Sequence, residues 1–502
     1  MPTSELLLTP NGIDASTGLP AMPGLTPWEL LQAILAEDAR EKANPVTQER
    51  LAFEANLHDA RSKAKLGLLP HLKADDLSQA GWGVIYPMGT PPEVKDNLKD
   101  LLAHRKNEAG AKVGTRFAEF ELAAGDTAIS FRNAHGETAG LVDPDKLPYY
   151  LMIVGPPDGN QHFPAGISFE FQNSLANVHA VGRLHFDDLQ GFKDYADKVI
   201  AYESGQSAPR HAEAAFFSPT SDNNMMQSSM YLANPLREAL DKFQTQNPIQ
   251  RPGGGQLAYK FTHINGENAK KQALTGLLES PISLLFTASH GLWQPYDPDH
   301  PEQSFALQQE KMGGLVCGDW DPLVEFQIPD SACLLATDLP AADLSGLVMF
   351  SFACYSAGAP KVPRFTDHPK AANFKPGKVD FISALPQAVL RKGALAFIGH
   401  IDQSWGYSYV WNRASNIKNF ESALSVILQC QRVGIGMEAF SQAYLDLNDQ
   451  LTSLKGLINS YKGGADNGED ILRTWMARQD AKSYIILGDP AVRLEFSQLV
   501  SS

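Results

Sequence analysis

Two short apolar runs constrain this chain more than any other feature. The first, residues 281–291, reads Pro-Ile-Ser-Leu-Leu-Phe-Thr-Ala-Ser-His290-Gly291. The second, residues 346–358, reads Gly-Leu-Val-Met-Phe-Ser-Phe-Ala-Cys354-Tyr-Ser-Ala-Gly. Both are rich in β-branched and aromatic residues and bounded by small or turn-forming ones, the pattern of buried strands. Each breaks into small residues just after one reactive side chain. In a parallel α/β sheet, chemistry collects at the carboxyl ends of strands, so His290 and Cys354 are expected at one edge. An imidazole that takes or holds a thiol proton beside a cysteine makes a nucleophile able to attack a carbonyl.

Each residue alone has a plainer explanation. A free cysteine ending an apolar strand is more often a small buried hydrophobe than a nucleophile, and a lone His-Gly is more often a turn. Two reactive strand ends in the order His then Cys are harder to assign to packing. Gly291 lets backbone and substrate approach closely. His400, beside Asp402, competes with His290 for the role of base, but lacks the following glycine and reads as a polar residue lining the pocket.

The 502 residues suffice for a large core. A formal charge of −15 argues against a non-specific nucleic-acid or anionic-membrane binder, which would normally show a basic footprint. Four cysteines (Cys317, Cys333, Cys354, Cys430) without Cys-x-x-Cys spacing make neither a disulfide framework nor a zinc site, and favour a reducing compartment. No leader pattern or membrane-length apolar run occurs, so the expected location is cytoplasmic. The loop Gly155-Pro-Pro-Asp-Gly-Asn lacks the Gly-Lys-Ser/Thr of a phosphate loop.

Three segments emerge along the chain. Residues 1–80 form an arm rich in Pro, Gly and Thr followed by helices, the first opened by Thr26-Pro-Trp-Glu, a capping pattern. This preface reads first as a cover for a sheet edge, then as a pro-segment or partner-docking element. Residues 81–210 make a first α/β subdomain, with strands near 82–86, 149–154 and 178–182. Residues 211–502 make a second, with strands at 214–218, within 281–291 and 346–358, and at 394–399 and 484–487. The loop-rich stretch 293–345 is expected to help bind substrate.

The strand-His-Gly and strand-Ala-Cys pair resembles the caspase-like cysteine peptidases. The runs Pro148-Tyr-Tyr-Leu-Met-Ile-Val-Gly155, Ala180-Val-Gly-Arg183 and Gly393-Ala-Leu-Ala-Phe-Ile-Gly399, with the closing Tyr484-Ile-Ile-Leu-Gly-Asp-Pro490, resemble the gingipain branch over about residues 80–495. The resemblance implies an α/β fold of open sheets flanked by helices. It implies endopeptidase activity through a thioacyl-enzyme, with Cys354 as nucleophile, His290 as base, and the backbone N–H groups of Gly291 and Cys354 as oxyanion donors. Asp297, Glu302 or a main-chain carbonyl are candidates to orient His290. Candidates for the specificity pocket are Asp222, Met225, Met226, Asp319, Asp402 and Trp405. An acid among them would favour a basic residue, and Met225 or Met226 an apolar or small one. No cofactor or metal is expected, although the Asp-rich loops leave calcium open. The partners implied are protein or peptide substrates and a regulatory protein. Two rivals remain: a scaffold on the same fold with a silent dyad, and a thiol transpeptidase or amidase.

Overall fold

The computed structural model describes residues 12–22, 24–43, 45–62, 67–110, 116–137, 140–251, 254–362, 364, 368–369, 377–411, 414–460 and 468–501. An eleven-stranded sheet runs through it. In chain order its strands are β1 (Trp82–Pro87), β2 (Phe117–Leu122), β3 (Tyr150–Val154), β4 (Ala180–Leu184), β5 (Arg210–Ser218), β6 (Lys260–Asn265), β7 (Ile282–Ala288), β8 (Val348–Phe352), β9 (Ala396–His400), β10 (Tyr484–Gly488) and β11 (Leu499–Val500). Their spatial order is β6-β5-β7-β8-β9-β10-β4-β3-β1-β2, with β11 beside the start of β5.

Every neighbouring pair is parallel except β9–β10, which is antiparallel. The two subdomains expected from the sequence therefore share one sheet. The closing strand β10 joins them, pairing Ile486 and Leu487 with Gly182 and Arg183 of β4. The antiparallel junction reverses direction, so the carboxyl ends of β5, β7, β8 and β9 share one edge and those of β1–β4 the opposite one. Central strands β3, β7, β8 and β9 are buried along their whole length, which is why they read as unbroken apolar runs.

The Leu-Gly-Asp-Pro sequence that closes β10 ties the halves together. The Asp489 carboxylate is fully buried and accepts hydrogen bonds from Trp82 Nε1 at 3.0 Å and Arg105 Nε at 2.5 Å. Arg105 also donates to both oxygens of Glu203, at 2.7 and 2.8 Å. A buried cation is thus surrounded by acceptors, as an interior charge must be.

The N-terminal preface departs from expectation. The capping box is present: Thr26 Oγ1 accepts from the Glu29 N–H, and Glu29 Oε2 accepts from the Thr26 N–H. Helix Pro27–Ala43 follows. The described part of the arm ahead of that helix is extended at Ile13–Asp14 and buried at Ile13 and Met22. Ile13–Asp14 pairs in parallel with the short strand Leu292–Trp293, outside the main sheet and immediately after His290. Strands β2 and β6 were also unexpected. Both lie at the sheet's margins, where half-exposed sequences such as Phe-Ala-Glu-Phe-Glu-Leu carry charges that hide the apolar alternation.

Candidate active site

Register brings the two reactive residues together. Ala288 of β7 pairs with Phe352 of β8, and the Ser289 N–H donates to the Phe352 carbonyl at 3.0 Å. His290 and Cys354 each stand two residues beyond that pair, so they leave adjacent parallel strands at the same level. Gly291 then passes so close to Cys354 that an added Cβ would lie 1.7 Å from the Cys354 carbonyl oxygen. Only a glycine fits there. The chain turns sharply after the cysteine, where Tyr355 adopts a left-handed conformation with φ 57°. For a bulky aromatic residue this is a strained position, held here by the Tyr355 N–H donating to the Asp402 carbonyl at 3.1 Å.

The acid on the imidazole is Asp222. Its Oδ2 lies 2.7 Å from His290 Nε2, while its Oδ1 accepts the Met225 N–H at 2.8 Å and so caps helix Asn223–Ser228. Burial acts to raise the Asp222 carboxyl, but the charge and hydrogen bond of His290, with the helix-start N–H groups, outweigh it and hold the pKa below the usual carboxylate value. Asp222, raised as a pocket acid, is thus turned to the histidine. Of the residues raised to orient His290, Asp297 meets Ser304 and His300, and Glu302 meets Lys378. The sequence signal for Asp222 lay in position. It follows the end of β5 by four residues, at the same edge as the other two groups, but 68 residues from His290 no spacing marks it.

The remaining candidates divide. The Asp319 carboxylate caps helix Lys271–Glu279, accepting the Lys271 N–H at 2.6 Å. Asp402 pairs with Arg364 at 3.3 Å, and its carbonyl meets both Tyr355 and His400 Nδ1. The three aspartates raised for the specificity pocket thus face His290, the Lys271 N–H and Arg364. Met225 is buried in an apolar cluster with Ile13, Leu292 and Trp320, whereas Met226 is exposed. Trp405 is buried edge-on against Trp475, in one cluster with Cys354, Tyr355, Met22 and Leu25.

His400 is walled off. Burial lowers its pKa to about 4, against hydrogen bonds that favour the charged form, so the ring is neutral at pH 7. Its Nε2 lies 3.6 Å from Asp480, whose carboxylate accepts the Trp405 N–H at 2.9 and 3.0 Å. That arrangement anchors the loop carrying Ser404, a residue not anticipated from sequence. The Ser404 N–H donates to Cys354 Sγ at 3.0 Å, and its hydroxyl lies 3.3 Å from the same sulfur. Cys354 itself is fully buried. Burial pushes its thiol up to about 12 despite these two contacts, so in this closed arrangement it keeps its proton.

One set of potential metal-ligand atoms occurs among the described residues, from His104, Glu108 and Glu203. The Arg105 guanidinium already bonds both carboxylates, placing a cation where a metal would sit. Among the described residues, no helix is long and apolar enough to cross a membrane.

No protein-family model and no curated protein matches the chain. Among solved structures, the chain is similar to the Arg-specific cysteine proteinase gingipain R, with 13% identity and a TM-score of 0.44, covering 83% of this chain and 78% of that one. It is similar to the complex of gingipain pro- and mature domains from Porphyromonas gingivalis, with 14% identity and a TM-score of 0.43 over 83% and 80% of the two chains. Separase in the Saccharomyces cerevisiae separase–securin complex is similar over 68% of this chain but 15% of its own length, with 10% identity and a TM-score of 0.29. The likeness is one of fold, and it is distant.

Proposed function

We propose that the chain is a cysteine peptidase working through Cys354, His290 and Asp222. The observation that carries this reading is geometric: a cysteine and a histidine leave neighbouring parallel strands at one level, with a carboxylate 2.7 Å from the imidazole. That is a nucleophile, a base and an orienting group in one place. Asp222 orients the imidazole through Nε2. Cys354 loses its proton to His290, and sulfur adds to the substrate carbonyl. The Gly291 and Cys354 N–H groups are suited to receive the developing oxyanion. When the C–N bond breaks, the amine leaves with the proton from His290. Water then attacks the thioester, returning the thiol and releasing the acid.

The complete burial of Cys354 favours a second reading, a fold whose dyad serves packing alone. Covalent trapping separates the two. A peptide acyloxymethyl ketone, read by intact mass after long incubation, is expected to modify Cys354 alone and to fail in Cys354→Ala and His290→Ala. Sluggish modification of all four cysteines, indifferent to His290→Ala even when the site is opened as described next, would overturn the peptidase reading.

A further inference from the structure

The arm lies on the nucleophile. An ideal Cβ on Gly12 would stand 3.5 Å from both Cβ and Sγ of Cys354, so the arm's backbone packs directly over the thiol. The Ile13 N–H donates to the Gly291 carbonyl at 3.3 Å, and the Ala15 N–H to the Trp293 carbonyl at 3.0 Å. This is the way an extended peptide adds to an open strand, with backbone bonds supplying affinity and alternate side chains entering pockets. The Ile13 side chain enters one, among Met225, Leu292 and Trp320. Beyond it the chain folds back: Gly18 N–H meets the Asp14 carbonyl, and Ala21 N–H the Gly12 carbonyl. Met22 and Leu25 then seal the cluster that holds Cys354 and Trp405.

We propose that residues 12–22, with Leu25, hold the site shut by occupying the bed on which a peptide substrate is laid out along Gly291–Trp293. The same contacts name the substrate class: an extended peptide with a small residue over the thiol and a branched apolar residue following it. This rests on the reading of Cys354 as nucleophile. Two features set the arm apart from a fixed structural cover. It pairs with neither edge of the main sheet, and its turn is exposed at Ser16, Thr17 and Leu19. Ahead of its exposed turn the arm is held by buried Ile13 and strand-type bonds, and behind the turn by buried Met22 and Leu25, so the stretch over Cys354 is displaceable on its own.

The test is alkylation of Cys354 by iodoacetamide, located by peptide mass mapping in the full-length protein. Two variants open the arm: Ile13→Asp, and a protease recognition sequence inserted between Ser16 and Thr17 and cut after folding. Each is expected to raise the Cys354 rate at least tenfold while Cys317, Cys333 and Cys430 stay unchanged. A synthetic peptide of residues 8–22, added to the opened protein, is expected to restore protection, and the same peptide carrying Ile13→Asp is not. An unchanged Cys354 rate in both variants overturns the proposal. So does an equal rise at all four cysteines, which would make the arm a part of the core. Faster alkylation without any peptide hydrolysis leaves this inference standing and removes the peptidase reading instead.

Discussion

Replacing Asp222 with asparagine isolates the contact that distinguishes a catalytic triad from a helix cap. Asp222 makes two separable interactions: Oδ1 caps helix Asn223–Ser228 and Oδ2 meets His290 at 2.7 Å. Asparagine keeps a carbonyl for the cap and loses the charge on the imidazole. A hydrogen bond to a charged group contributes about 1.5–3 kcal/mol. The charge is needed most when His290 holds the thiol proton, so the loss falls mainly on the transition state. At about 1.4 kcal/mol per tenfold, kcat/KM should fall roughly 10- to 100-fold. Alanine removes the cap as well, and should add about 1 kcal/mol of destabilisation to the same kinetic loss. The assay is the second-order rate of Cys354 alkylation by a peptide acyloxymethyl ketone, the sulfur displacing the carboxylate, in the Ile13→Asp background, with urea unfolding alongside. If Asp222→Asn stays within twofold of its parent while His290→Ala loses the rate, Asp222 is a cap and the triad reasoning fails.

Other expectations follow from the same geometry. Gly291→Ala places a Cβ against the Cys354 carbonyl, and should abolish alkylation by the acyloxymethyl ketone even where circular dichroism shows a folded chain. Retained alkylation would mean that the two strand ends are not in contact. The closed thiol holds its proton to about 12, above its ordinary 9.0. A group whose folded value is raised supports the folded, closed state fully below the ordinary value and loses that support as pH rises through the raised one. Cys354 alkylation in the closed protein should therefore keep climbing between pH 9 and 12, and a plateau near neutrality would contradict it. Asp489→Ala strands the Arg105 guanidinium on one side of its buried network. It should cost about 3–5 kcal/mol in urea unfolding, and a loss below about 1 kcal/mol would show that the junction between the halves tolerates the change.

The sequence by itself determined the buried strands and what stands at their ends. Residues 282–288 and 348–352 are apolar without interruption because both faces of a central parallel strand are covered, so strand identity and His290 and Cys354 were legible together. The capping box at Thr26 was legible for a local reason, since its partners are three residues apart. The tertiary structure alone decided what depends on chains meeting from afar. It turned Asp222 from a pocket acid into the partner of His290 and Asp319 into a helix cap, because a carboxylate's role follows from which donor faces it. It joined two expected subdomains into one sheet through β10. It also laid Gly12 over Cys354, since Gly291–Trp293 offers open strand bonds and a pocket for Ile13. Local chemistry is written in neighbouring residues, whereas contact across hundreds of positions is set by the register in which the strands assemble.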